Sequence, residues 1–329
     1  FDSTGHVDPG PLVGSGTTPQ VLTHADLTPQ EIAGYAAAAV AGVEARRSSW
    51  TPLNLLAETA RATRDLRMAS VTDRMLLLDR IRDTAHDGLV ALHDPTTVHP
   101  AHAWKARWTS PAVLEDERTL LAAAAAPTPA MANPNVVKVY VGLATTPPEQ
   151  RPPIHLMDLP HLTTEQARAV GQVLTESRGV QVLVGPAGSG KTTTLRVLST
   201  IWQRTTDPGT VQALAPSATA AATLQAALGV PCETTAKWLH ESTGPAAEQR
   251  AQMLQVATAA RTAAGTARAR DLILEQQRWT LPQGGRRRVV EASRTDTRAL
   301  AELARPADGA GARVLLVGDP AQHDAVGAG

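Results

Sequence analysis

The apolar run GVQVLVG (179–185) passes directly into GPAGSGKT (185–192), which opens a stretch of helix formers, TTTLRVLSTIWQR (192–204). Strand, glycine-rich turn and helix in that order leave little freedom of fold. Gly185, Gly188 and Gly190 let the backbone wrap closely, so that its N–H groups and the helix N-terminus face one small volume. Such a cradle suits phosphate oxygens, and Ser189 and Thr193 complete the run. Lys191 is placed to reach the β and γ phosphates of a nucleoside triphosphate, while the Thr192 hydroxyl can ligand magnesium. Lysine occurs only at 105, 138, 191 and 237, so its presence here is a specific signal. The pattern predicts ATP and Mg2+ as cofactors.

Around that element strands alternate with helices, the pattern of a parallel α/β sheet with helices on both faces. The predicted strands are 179–185, TVQALA (210–215), RRRVVEA (286–292) and ARVLLVGD (312–319). Ligands of such sheets bind beyond the carboxyl ends of the strands, where the candidate motifs fall. Ahead of it the chain is different. Residues 1–25, rich in Gly, Pro, Thr and Ser, form a loose lead-in, and 26–121 carry apolar residues every three or four positions, which predicts a small helical domain. Prolines in AAAAAPTPAMANPN (122–135) and TTPPEQRPP (145–153) mark 122–155 as a linker, with VVKVYVGLA (136–144) as a possible strand inside it. The sheet domain runs over 156–329. Its segment 245–279 is predicted helical, basic at Arg261, Arg268 and Arg270.

Acidic and basic residues balance, 31 against 31, so no global field draws in nucleic acid and any contact with DNA must be local. Arginines between 46 and 82 interleave with acids as a solvated, salt-bridged face. The single cysteine, Cys232, excludes an internal disulfide and a cysteine zinc cluster. No apolar run approaches the ~18 residues of a membrane span, and no charged-then-apolar signal opens the chain, which predicts a cytoplasmic protein with no membrane segment. Histidines such as those of HDPTTVHPAHAW (93–104) lack ligand spacing, so no metal-dependent nuclease site is expected. The first residue is Phe1, which predicts a piece of something longer.

Further segments follow in a fixed order. LTTEQARAV (162–170) forms a capped helix with Thr163 or Thr164 at its N-cap. APSATAA (215–221) ends the second strand and begins a helix, where Ser217 and Thr219 can meet a DNA phosphate. TTAKWLH (234–240) adds Thr235, Lys237 and the aromatic Trp238, a combination suited to single-stranded DNA. RRRVVEASRTD (286–296) runs a strand into Glu291. VLLVGDPAQ (314–322) is an apolar strand ending in Gly-Asp-Pro-x-Gln. From about 160 to 329 these motifs resemble the first motor domain of a RecD-like superfamily 1B helicase. Their wording is similar to the helicase part of MobF-type conjugative relaxases, the TraA, TrwC and TraI group. The resemblance extends to RRSSWTPLNLLAETARATRDLR and WTSPAVLEDERTLLAAA ahead of the sheet.

That resemblance implies a RecA-like P-loop fold and an ATP-dependent DNA helicase acting on single-stranded DNA in plasmid conjugation. It implies that Gln166 contacts the adenine edge, that Gln322 senses the γ-phosphate with Asp319 supporting its loop, and that Lys191, Glu291 and Gln322 carry catalysis. It also implies a second motor domain and a relaxase domain whose motifs do not occur here, so the chain alone is expected not to unwind DNA. Where the family places a magnesium-holding aspartate before the glutamate, this chain has Val290, which predicts impaired hydrolysis. Arg294 and His323 stand in slots that are apolar in the family, and Pro306 is expected to cut off the helix TDTRALAELAR. A RecD-like repair helicase and a non-catalytic nucleotide- and DNA-binding module remain as alternative readings.

Overall fold

The computed structural model describes residues 21–92, 105–127, 132–151, 159–205, 210–280, 286–292, 295–310 and 313–319. By internal contacts the chain forms two compact units, Phe1–Glu44 with Ser49–Ser110, and Ala45–Ser48 with Pro111–Gly329. Most of the expected lead-in lies outside the described residues. Where description begins, Leu22 pairs with Met68.

The first unit contains three mutually packed helices, α1 (Pro29–Glu44), α2 (Pro52–Ala62) and α3 (Val71–His86). Their apolar spacing buries Ile32, Ala36, Ala39 and Val43 along α1, with Leu55, Leu77 and Ile81 from the other two. Thr51 and Asn54 close a reciprocal cap on α2, and Ser70 Oγ accepts the Asp73 N–H at the start of α3. The His24 ring meets the Asp73 carboxylate at 2.9 Å. Hydrogen bonds from His24 first, then Ser70, hold that carboxyl down at about 2. A two-residue antiparallel ladder, β1 (Val90–Ala91) with β2 (Trp108–Thr109), completes the unit.

In the second unit β3 (Val180–Val184), β4 (Thr210–Ala215), β5 (Cys232–Thr234), β6 (Arg286–Glu291) and β7 (Arg313–Gly318) form a parallel sheet in the spatial order β3-β7-β6-β4-β5. Four of these strands lie where the sequence predicts them. The edge strand β5 is too short to show a period. One face packs against α5 (Pro134–Thr145), α6 (Thr164–Thr175), α7 (Lys191–Thr205) and α8 (Ala218–Leu228), burying Leu198, Ile201, Val289 and Leu315. The other packs against α4 (Pro111–Ala125), α9 (Thr235–Ser242), α11 (Ala263–Trp279) and α12 (Thr297–Ala310), burying Trp238, Trp279, Val290 and Leu303. Neighbouring residues of β6 therefore serve opposite cores, as the two-residue period of a strand requires. This is a RecA-like α/β P-loop fold, with a helical region ahead of it in the chain.

Three expectations are corrected. The possible strand at 136–144 is helix α5: Asn133 Oδ1 accepts the Asn135 N–H at 3.0 Å, Pro134 fits the first turn, and Val137, Tyr140, Val141 and Ala144 reach one core at helical spacing. Burial on that stripe outweighs the β preference of the valines. Residues 122–125, expected in the linker, belong to α4, which packs on α12 and β3. Pro306 does not end its helix, since α12 runs on to Ala310. The proline removes one backbone donor, a loss that buried Ala301, Leu303 and Ala304 offset by anchoring the turns before it.

The segment 245–279 forms two packed helices, α10 (Pro245–Ala259) and α11, as its composition predicts. They are separated at Arg261, whose φ of 47° is left-handed, and Thr262 Oγ1 caps α11 through the Gly265 N–H at 3.0 Å. Arg313, which opens β7, is fully buried. One guanidinium nitrogen donates to the Glu176 carbonyl at 2.7 Å, the group lies 5.5 Å from the Trp202 ring centroid, and burial pushes its pKa down to about 10.

Candidate functional site

Between the end of β3 and the start of α7 the chain turns through Gly185 to Gly190. Gly188 and Gly190 hold φ of 76° and 77°, where a Cβ is disfavoured. At Gly185 a Cβ would sit 2.6 Å from Ser189 Oγ. Ser189 N–H donates to the Pro186 carbonyl at 3.2 Å, and Thr194 N–H to that of Gly190 at 2.9 Å. The first N–H groups of α7 have no partner within the helix and carry its positive end. The Lys191 ammonium folds over the loop, donating to the carbonyls of Gly185 at 2.5 Å and Pro186 at 2.9 Å.

Beside the loop a cavity of about 470 Å³ opens at the carboxyl ends of the strands. Lys191, Thr192, Ser217, Thr219, Thr223 and Glu291 supply its polar lining, while Leu195, Leu224, Val289 and Val317 supply apolar walls. Four sequence motifs thus share one site. The end of β7 ties them together, because Gly185 N–H donates to the Gly318 carbonyl at 3.2 Å and Ala292 N–H to that of Val317 at 2.7 Å. Asp319, the next residue, is buried. Gln322, His323 and Arg294 lie outside the described residues. Ser189 and Thr193 stand half-buried on the loop and the first turn of α7.

Successive residues of β6 face different ways at the site. Val289 and Glu291 face the cavity, whereas Val290, with 0% of its surface exposed, lies on the opposite face among Trp238, Trp279 and Leu303. The Val290 side chain thus lies on the face of β6 turned away from the cavity. In the strand ladder Glu291 pairs with Val317, and it is the β6 acid that reaches the cavity. The Thr192 hydroxyl and the Glu291 carboxylate are hard oxygen donors in one cavity, a set that fits Mg2+.

Gln166 sits at the third position of α6 in a reciprocal cap with Thr163, and its side chain donates to the Ser189 carbonyl at 2.9 Å. Ser217 caps α8 by accepting the Ala220 N–H at 3.2 Å, and Thr219 is exposed beside it.

The segment 234–240 departs from expectation. Thr235 is buried and donates to the Ala215 carbonyl at 3.4 Å. Trp238 is 2% exposed and belongs to the core under α9. Neither can meet DNA from there, because the largest apolar residue of a helix covering a sheet goes inward. Lys237 is exposed and paired with Glu233 at 2.9 and 3.0 Å, 5.5 Å from the Trp279 ring centroid. That four-residue spacing was visible in the sequence. The long-range bond from Gln166 was not.

Among the described residues no group of three His, Cys, Asp or Glu side chains could hold a metal, and no helix is long and apolar enough to cross a membrane. No curated protein matches the chain. A family model described as AAA domain matches residues 161–329, just over half of the chain. That span takes in every residue named around the cavity, and the chain belongs to this AAA domain family, with a nucleotide-binding, helicase-like P-loop domain over those residues.

Proposed function

We propose that the chain carries the first motor domain of an ATP-driven DNA helicase or translocase, working on single-stranded DNA in the cytoplasm as part of a conjugative relaxase-helicase. The observation that supports this best is the meeting of Lys191, Thr192 and Glu291 in one cavity, beside the exposed Ser217 and Thr219 at the start of α8. Lys191 exchanges its loop carbonyls for the β and γ phosphates. Thr192 and Glu291 hold Mg2+, which when bound neutralises charge on the phosphates. Glu291 also orients the attacking water, with Gln322 sensing the γ-phosphate and Asp319 supporting its loop. Backbone amides and hydroxyls at the start of α8 offer contacts to a DNA phosphate.

Hydrolysis in this reading is slow, because one carboxylate, Glu291, must serve both the metal and the water. The implied partners are single-stranded DNA, a second motor domain and a relaxase domain. A RecD-like repair helicase would use the same site. A non-catalytic nucleotide- and DNA-binding module is favoured by one observation, that Glu291 is the β6 acid on the cavity and has no acidic neighbour on that strand.

Titration of the chain with Mg2+ and ATP tests the reading, with Lys191→Ala expected to weaken affinity about 10- to 100-fold through loss of a charged hydrogen bond. Unchanged affinity would discard it. Turnover with and without single-stranded DNA is then compared with that of a chain carrying an aspartate inserted between Val290 and Glu291. The insertion adds a second carboxylate beside the glutamate at the end of β6, so that metal and water no longer share one group, and turnover is expected to rise. Equal turnover removes the account of slow hydrolysis and favours the non-catalytic module. Strand separation by the chain alone would refute the need for a second motor domain.

A further inference from the structure

At its β5 edge the sheet is incomplete. Strand β4 has six residues and β5 three, and β5 pairs only with Ala213, Leu214 and Ala215. Residues 210–212 therefore have β6 on one side and no strand on the other. Pro231 explains where the pairing stops. Ala213 N–H donates to the Pro231 carbonyl at 2.9 Å, so the backbone groups of Ala213 face β5, and by the alternation of a strand those of Val211 face the same side. In a continued parallel ladder the Val211 carbonyl would accept the N–H of residue 231, and a proline has none. Val211 is 4% exposed. Backbone groups so buried are nearly always paired, yet on that side those of Val211 have no partner among the described residues.

A cavity of about 520 Å³ lies at this gap, bounded by Val211 and Gln212 of β4 and by Pro231, Cys232 and Glu233 where β5 begins. Gln203 of α7 and Gln225 of α8 wall it on one face of the sheet, and Gln277, Arg278 and Trp279 of α11 on the other. Glutamine amides both donate and accept, which suits a ligand built of peptide groups. Charge narrows the choice further. Glu233 is neutralised by Lys237 at 2.9 and 3.0 Å, whereas Arg278, 5.3 Å from the Trp279 ring centroid, has no acidic partner among the described residues. We propose that this cavity docks an extended, acidic peptide segment of a partner protein, which adds a short strand beside residues 210–212 and sets a carboxylate against Arg278. Main-chain bonds to Val211 continue the interrupted ladder. Three residues, about 10 Å at the rise of a strand, set the length of the segment. Binding there is separate from the nucleotide cavity, which opens at the carboxyl ends of the strands.

Cys232, the single cysteine of the chain, lines the cavity and reports on its occupancy. The rate of its alkylation by N-ethylmaleimide is measured in the full chain, with acetyl-Val-Thr-Val bearing a free carboxylate as the probe. Saturating probe is expected to slow the reaction several-fold. The same peptide ending in a carboxamide is expected to bind about 10-fold more weakly, for want of the charged hydrogen bond. Arg278→Gln, at an exposed position, is expected to weaken the acid by that factor and to leave the carboxamide unchanged. Methylation of the probe's backbone nitrogens removes its ladder donors and is expected to abolish protection.

Alkylation unchanged by the acid peptide at about 10 mM would overturn the proposal. So would protection that survives backbone methylation, or that Arg278→Gln leaves untouched. Two more results would overturn it by naming another occupant. Protection by a single-stranded oligonucleotide in place of the peptide would make the site one for nucleic acid. Protection that grows with the concentration of the chain itself, together with a dimer in sedimentation, would make the occupant a second copy.

Discussion

At the mouths of β3 and β5 the chain does opposite things with similar residues. Each strand is followed by a helix that begins with threonine and lysine, Lys191 and Thr192 in one case, Thr235 and Lys237 in the other. After β3 the turn from Gly185 to Gly190 intervenes, and Lys191 and Thr192 in the first turn of α7 line a cavity. After β5 nothing intervenes, since the strand ends at Thr234 and α9 starts at Thr235. Its first turn is drawn directly onto the sheet, and Thr235 and Trp238, three residues apart on one helical face, go into the core. Of these two helices, the one after the longer turn presents its first residues to the cavity, and the one that follows its strand directly buries them.

Trp238→Ala puts the largest strain on this comparison. It is expected to destabilise the chain by roughly 3–5 kcal/mol in denaturant unfolding, with no specific loss of single-stranded-DNA affinity in the folded fraction. Full stability together with lost DNA affinity would put the indole back on the surface and erase the difference between the two mouths. Val290→Asp sharpens the same contrast within one strand. A carboxyl among Trp238, Trp279 and Leu303 is expected to cost about 3 kcal/mol of stability and to restore no turnover. Normal stability with faster hydrolysis would mean that residue 290 faces the cavity. Smallest of all is Lys237→Ala, where loss of the exposed pair with Glu233 is expected to cost under about 1 kcal/mol and less at high salt. A DNA affinity that drops steeply in this variant would give the β5 mouth a binding role of its own.

The phosphate loop was legible because its chemistry belongs to the backbone. Glycines at 185, 188 and 190 report the conformation required wherever the chain folds. Strands β3, β4, β6 and β7 were legible for a related reason, as short apolar runs between turn signals. Trp238 was misread because an aromatic beside a lysine looks the same in a sequence whether it faces solvent or a sheet. The facing of Val290 follows from the two-residue period once Glu291 is placed at the cavity, but alignment on the glutamate alone hid it. The bond from Gln166 to Ser189 and the buried Arg313 depend on residues distant in sequence, and no local pattern announces either one. Helix α5 was hidden by its valines, whose β preference gave way to the stripe they bury.

The loop whose Gly185 and Pro186 carbonyls accept from the Lys191 ammonium has its own Gly185 N–H pinned to the end of β7. The adjacent residue of that strand end receives the N–H just after Glu291. Two neighbouring carbonyls at the end of β7 thus tie the turn that Lys191 folds over to the residue that follows Glu291.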